Sequence, residues 1–148
     1  MDDQQRAIEY IAANRFPFPG QTDWPEGYRT VVNGLRQGAS VLASGAEVWP
    51  DIVILNEKGL ACRLGEVDAV VDAAAVERWR RSSQMADTLN ETGVRNLFVY
   101  VPQGMGADAL RALDAEAISF AGLREYAVED AAVRVTPFLT RGDRYDHQ

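Results

Sequence analysis

The chain has 148 residues, which suits a single domain with a core of its own. Its composition, 47% hydrophobic and 25% charged, is typical of an ordinary soluble globular protein. The formal net charge of −7 argues against non-specific nucleic-acid binding, because neutralising phosphates supplies most of that affinity. A local arginine patch or a bound metal would still reverse the field near one site.

The cysteine and the two chain ends limit the cellular setting and the chemistry. A single cysteine, Cys62, excludes an internal disulfide framework and fits a reducing, cytoplasmic location. The first five residues are polar and acidic with no apolar segment behind them, so no signal peptide is expected. No apolar run approaches membrane-spanning length, and no contact with a membrane is expected. The sole histidine, His147, lies near the end of the chain, which argues against histidine catalysis or a zinc site.

The first forty residues predict two helices. Apolar side chains recur at helical spacing over residues 3–14, and the proline-rich segment 16–20 ends that pattern. A second helix is expected over 23–38, because Asp23 can cap it and three aliphatic side chains fall on one face.

The middle of the chain predicts strands around one long helix. Three strands are expected over 39–44, 50–55 and 60–67, and a short polar turn joins the last two as a hairpin. A helix is expected over 72–90, followed by the continuous apolar run Leu97–Val101, which is typical of a strand covered on both faces. Because a helix connects them, the second hairpin strand and this strand are expected to be parallel.

The last part of the chain completes the predicted fold. A helix is expected over 106–117, the segment 118–126 has a mixed pattern, and 132–138 is predicted as an edge strand. Residues 141–148 are expected to form a disordered tail. The predicted fold class is therefore α/β, one domain over 1–140, with a central mixed sheet flanked by helices.

The hairpin carries three carboxylates, Asp51, Glu66 and Asp68, among apolar strand residues. A register that pairs Leu55 with Leu60 puts all three on one face of the sheet, because side chains alternate with period two. Asp51 and Glu66 are then diagonal neighbours, about 7–8 Å apart at Cα. Charges in such a place cost free energy unless something binds them, and two carboxylates at that separation can share one hard cation.

Pro50–Asp51 before one strand and Glu66–Val67–Asp68 at the end of the next resemble the motif of the PD-(D/E)XK nuclease superfamily. The resemblance extends over about residues 25–102. It implies a restriction-endonuclease-like core of order α-β-β-β-α-β, here with an additional C-terminal helix and strand. It also implies that Asp51 and Glu66 bind Mg²⁺ or Mn²⁺, with help from the Val67 carbonyl, for hydrolysis of nucleic acid.

One position departs from the family, because Asp68 stands where a lysine is expected. A lysine would orient the attacking water and stabilise the phosphorane charge, whereas an aspartate could add a metal ligand or act as general base. Arg78, Arg80 and Arg81 on the following helix could replace the positive charge, although arginine is a poor proton acceptor. Gln84 on the same helix resembles a glutamine found in some branches of the family.

Three interpretations of the acids stay open. In the first, the protein is a metal-dependent nuclease with Asp51, Glu66 and Asp68 as catalytic residues, and DNA is expected as its partner sooner than RNA. In the second, it is a catalytically inactive module that kept the fold after losing the lysine and binds an unidentified partner or a second copy of itself. In the third, the acids only begin and end strands at the solvent boundary.

Overall fold

A computed structural model of the chain describes residues 2–15, 27–33, 41–43, 46–86, 93–130 and 132–142, with the backbone alone for 41–43 and 46–48. The helices in these ranges are α1 (Asp3–Asn14), α2 (Ala73–Met85) and α3 (Gly106–Ala115). The strands are β1 (Arg29–Val32), β2 (Val41–Ala43), β3 (Ala46–Val48), β4 (Ile52–Leu55), β5 (Ala61–Val67), β6 (Leu97–Pro102), β7 (Gly122–Glu129) and β8 (Ala132–Thr140).

Six of the strands form one mixed sheet in the order β1-β4-β5-β6-β7-β8. The pairs β5–β6 and β6–β7 are parallel, and the other pairs in this sheet are antiparallel. Strands β2 and β3 pair with each other in a separate two-stranded sheet. The α/β class, the mixed sheet and the parallel pairing of β5 with β6 are therefore confirmed.

Helices cover both faces of the large sheet. Consecutive strand residues point to opposite faces, so each strand packs against helices on both sides. Val53 packs in one buried cluster with Trp79 of α2 and Leu113 of α3. Its neighbour Ile54 packs in the other cluster, with Ile11 of α1. Strands β4 and β6 consequently have no polar face, which explains why their sequences are nearly continuous apolar runs.

Carboxylates outside each helix accept hydrogen bonds from backbone N–H groups at its start. The carboxylates of Asp2 and Asp72 accept from backbone N–H groups at the starts of α1 and α2, each over 2.8 Å. At α3 the acceptor comes from β7, where Glu125 receives the N–H groups of Gly104 and Gly106 over 3.0 and 2.8 Å. The start of α3 is thus fixed to the sheet.

The predicted helix over 23–38 is wrong where the structure describes that segment. Residues 29–32 form β1, which pairs antiparallel with β4, Val32 lying opposite Ile52. The β-branched Val31 and Val32 suit a half-buried strand, and pairing with a distant strand outweighs the local helical pattern. Residues 23–26 and 34–38 of that prediction lie outside the described residues.

Other boundaries of the prediction also change. The strand expected over 39–44 is present at Val41–Ala43, but it belongs to the small sheet, so β1 takes its place as the first strand beside the hairpin. Helix α2 ends at Met85, and residues 87–90 of the predicted helix lie outside the described residues. Helix α3 ends two residues earlier than expected, at Ala115.

The C-terminal strands lie where the last segments were expected. The mixed segment 118–126 contains the start of β7, and the predicted edge strand is confirmed as β8. Arg141, the first residue of the predicted tail, donates its N–H to Ala121 over 2.9 Å and pairs with Asp114 at 2.8 Å. The chain therefore continues its contacts past β8, while 143–148 lie outside the described residues.

Candidate functional site

The register of the hairpin decides how its acids meet. The predicted pairing of Leu55 with Leu60 is wrong, since the register shifts at the end of β4 and Leu55 pairs with Ala61. Further along, Ile52 pairs with Gly65, which is a displacement of two residues from the predicted register. Because the displacement is an even number, every side chain keeps the face that the alternation predicted.

Asp51 and Glu66 are therefore opposite each other and not diagonal. Extending the pairing of Ile52 with Gly65 by one residue brings Asp51 across from Glu66. Asp51 Oδ2 accepts the backbone N–H of Val67 over 2.8 Å, and this bond joins the start of β4 to the end of β5. The two carboxyls also lie within hydrogen-bonding reach of one another.

Burial makes ionisation of this pair costly. It raises the pKa of Asp51 from 3.8 to about 6, against the opposing effect of the Val67 N–H. The Glu66 side chain is 2% exposed, and burial followed by the charge of Asp51 raises its pKa well above the ordinary value. Ser82 of α2 donates to Glu66 Oε1 over 2.7 Å, which opposes that rise in pKa. Ionising both carboxyls at once is therefore costly.

Asp68 comes directly after β5 and is held by α2. It is 2% exposed, and its Oδ2 accepts the indole N–H of Trp79 over 2.7 Å. Its Oδ1 accepts from the guanidinium of Arg78, whose side chain is 49% exposed. The backbone carbonyl of Asp68 accepts from the buried hydroxyl of Tyr126 over 2.8 Å.

One face of α2 therefore covers the acids. Arg78 and Trp79 are adjacent, and Ser82 comes one helical turn later. Their side chains therefore share one side of the helix. Ser82 donates to Glu66 of β5. Arg78 and Trp79 both donate to Asp68, which follows β5 directly. The guanidinium of Arg78 is subject to the charges of Asp68, Glu66 and Asp51 together, which makes it the cation of this cluster.

The other predicted residues of the site have different neighbours. The carbonyl of Val67 accepts from the side-chain amide of Gln4 on α1 over 2.8 Å. Arg80 pairs with Glu77 and Glu116, and Arg81 pairs with Glu77. Of the three arginines named from the sequence, Arg78 is the one that the structure brings to the acids. Gln84 is exposed and lines a separate cavity.

Several contacts of the site were missed by sequence reasoning. Trp79 is completely buried, as expected of a large aromatic residue in the core, but its indole N–H also binds Asp68. Ser82, a polar residue three positions later, was the available signal that this helix face meets a polar partner. Nothing in the local sequence around Gln4 indicates its bond to the end of β5.

The described residues contain no group of three or more His, Cys, Asp or Glu side chains arranged to hold a metal ion. No helix in the described ranges is long and apolar enough to cross a membrane. Comparison with protein-family models, with curated proteins and with solved structures gives no match. A function for this chain is therefore inferred from the chemistry of the acids and their neighbours on α2.

Proposed function

We propose that this chain is a nuclease-like protein of the PD-(D/E)XK type, in which Asp51 and Glu66 hold Mg²⁺ or Mn²⁺ and which hydrolyses phosphodiester bonds. The observation that carries the proposal is the pair of carboxyls facing each other across β4 and β5, both with raised pKa. A carboxyl pair whose ionisation is made costly by burial is stabilised in its charged form by a bound cation.

The donors of the pair suit a hard cation. Both ligands are carboxylate oxygens, and Mg²⁺ is commonly held by one or two protein carboxylates, with waters and substrate phosphate completing its shell. The Val67 carbonyl, which the resemblance implies as a third ligand, accepts one hydrogen bond from Gln4 and has a second lone pair. When bound, such a metal polarises a phosphate and lowers the pKa of a coordinated water.

The order of elements supports the same proposal by analogy of fold. Helix α1 is followed by β1, β4 and β5, then by α2 and β6, which is helix, three strands, helix, strand within one large sheet. The small sheet of β2 and β3 is an insertion between the first and second of those strands. The order agrees with the resemblance only if α1 takes the place of the helix expected over 23–38, where residues 29–32 form β1 instead. Folds of one architecture host different functions, so the acids have to carry the chemistry.

Arg78 supplies the positive charge that the family obtains from its lysine. The buried Asp68 carboxylate fixes one side of the guanidinium, while about half of the Arg78 side chain stays exposed. A guanidinium has five N–H donors in a rigid fork, so one bound to Asp68 can still donate to a phosphate oxygen. Asp68 is accordingly a positioning residue in this proposal and not the general base inferred from the sequence, since both of its oxygens already accept from α2.

A second candidate function is a catalytically inactive interaction module with the same fold. The observation in its favour is again Asp68, which occupies the position of the lysine and is buried against Trp79 and Arg78. Such a protein would bind another molecule or a second copy of itself and would leave nucleic acid intact.

Metal binding is tested first, by calorimetric titration of the apo protein with Mn²⁺ at pH 8. We expect saturable binding by the wild type that is lost in Asp51→Asn and in Glu66→Gln. Asp108→Asn is the matched control, because this exposed carboxylate on α3 pairs with Arg111 away from the hairpin. Absence of Mn²⁺ binding in the wild type, or equal binding by Asp51→Asn, would refute the metal site.

Hydrolysis is tested with single- and double-stranded DNA and with RNA, in Mg²⁺, in Mn²⁺ and in EDTA. We expect cleavage only with metal, and a loss of about 10²-fold in Arg78→Gln with Mn²⁺ binding retained, because one preorganised donor to a developing anion has roughly that effect. Arg111→Gln, an exposed arginine of α3, is the control. Metal binding without cleavage of any substrate would favour the inactive module, and cleavage that survives EDTA would refute the proposal.

A further inference from the structure

A second polar site lies on another face of α2. It is a cavity of about 390 Å³ between the C-terminal half of α2, the residues before β6 and the turn after α3. Its polar lining comes from Arg80, Ser83, Gln84, Arg95, Glu116 and Ser119. Arg80, Ser83 and Gln84 follow one another at helical spacing and face away from the side of α2 that holds the acids. The cavity is within the size range of small-molecule sites, about 300–1,000 Å³.

The charges of this cavity are positive in an otherwise acidic protein. Two of its lining residues are arginines and one is a glutamate, whereas the chain as a whole carries −7. Arg80 is neutralised, because it pairs with both Glu77 and Glu116. Arg95 forms no ion pair with any carboxylate among the described residues, and its Nη1 donates to the Ala86 carbonyl over 3.0 Å.

The backbone holds Arg95 at the cavity. Its own N–H donates to Ser119 Oγ over 2.9 Å, and Ser83 Oγ donates to the Ser119 carbonyl over 2.5 Å. These bonds join the end of α2, the entry to β6 and the turn after α3 around one guanidinium. The bond to Ala86 uses one of its five N–H donors, so the fork can still bind a tetrahedral anion in bidentate fashion.

We propose that this cavity binds a phosphate monoester, with the Arg95 guanidinium as the main anchor and the Gln84 amide as a second donor. Arg80 contributes by exchanging Glu116 for the phosphate, because that carboxylate is 50% exposed and an exposed ion pair is weak. The volume leaves room for a sugar beside the phosphate, and a mononucleotide and the phosphorylated end of a nucleic acid are the two sources of such a monoester that the test distinguishes. The site shares no residue with the proposed metal site and stands independently of it.

The test is calorimetric titration in EDTA, which removes metal from the experiment. The probes are inorganic phosphate, a nucleoside monophosphate, and one oligonucleotide prepared with a 5′-phosphate and with a 5′-hydroxyl. We expect saturable binding of the phosphorylated probes. Preference for the monophosphate assigns the site to a free nucleotide, and preference for the 5′-phosphorylated oligonucleotide assigns it to a strand end. Equal binding of the two oligonucleotides without binding of the nucleoside monophosphate, or no saturable binding of any probe, would overturn the proposal.

Two variants connect binding to the cavity. Arg95→Gln should weaken binding about tenfold or more, since it removes a charged hydrogen-bond donor. Gln84→Glu should weaken it by a similar factor through repulsion, and as an exposed position it keeps the test valid if Arg95→Gln fails to fold. Gln103→Glu makes the same charge change in the exposed turn after β6 and should leave binding unchanged. An equal effect of Gln84→Glu and Gln103→Glu would show that binding reflects net charge alone and would refute the site.

Discussion

Asp51→Asn is expected to change the pH dependence of stability. Asp51 binds its proton more tightly in the folded chain than in the unfolded chain, because burial raises its pKa from 3.8 to about 6. Such a group leaves the free energy of unfolding unchanged at pH values below the lower pKa. It then lowers that free energy increasingly until the pH exceeds the higher pKa. Ionisation of Asp51 therefore destabilises the fold increasingly between pH 3.8 and about pH 6 and to its full extent above that range. The asparagine, whose amide oxygen can still accept from Val67, removes this cost.

The size of the effect follows from the two pKa values. A difference of about two pH units corresponds to about 3 kcal/mol once the group is fully ionised in both states. About half of this has already developed at pH 5, so the remaining change between pH 5 and pH 8 is about 1.5 kcal/mol. Removal of the Asp51 charge also lowers the pKa of Glu66, which acts in the same direction.

The measurement is urea denaturation of the metal-free wild type and variant at pH 5, 6, 7 and 8. The free energy of unfolding of Asp51→Asn should rise relative to the wild type by about 1.5 kcal/mol across this range. Asp108→Asn removes an exposed carboxylate of α3 and should run parallel to the wild type. If the difference between Asp51→Asn and the wild type stays flat, or shrinks as pH rises, the burial of this carboxyl is not what the structure indicates.

Two further changes test contacts around the site and the sheet. Trp79→Phe leaves the buried Asp68 carboxylate without the indole N–H. It should lower the free energy of unfolding by about 1–3 kcal/mol in urea denaturation. A loss below about 0.5 kcal/mol, the range of ordinary surface changes, would contradict the role of that bond. Gly122→Ala should cost about 1–3 kcal/mol in the same assay, because its Cβ would lie 2.8 Å from the Arg124 guanidinium, which is buried and bonded to the Leu139 carbonyl. A Gly122→Ala variant as stable as the wild type would show that this contact can relax.

The helices and strands that the sequence predicted are those with a strong local pattern. Leu97–Val101 is a continuous apolar run, and it forms the strand β6 at the centre of the sheet. Helix α2 was expected from residue 72, and in the structure the Asp72 carboxylate caps it, which is a purely local interaction. Strand β1 was predicted as a helix because Val31 and Val32 fit either period over so short a segment. Its state is decided by pairing with β4, some twenty residues further along the chain.

For the carboxylate site, alternation along two strands was enough to predict that Asp51, Glu66 and Asp68 share a face, because an error of two residues in register leaves the face unchanged. The sequence alone determined this, and with it the resemblance to a family of nucleases. Only the tertiary structure decided that Glu66 and Asp68 are buried, that Asp51 lies opposite Glu66, and that Arg78 lies beside Asp68. These properties depend on how α2 docks on the sheet, since distance and burial set both the pKa values and the choice among the arginines of one helix.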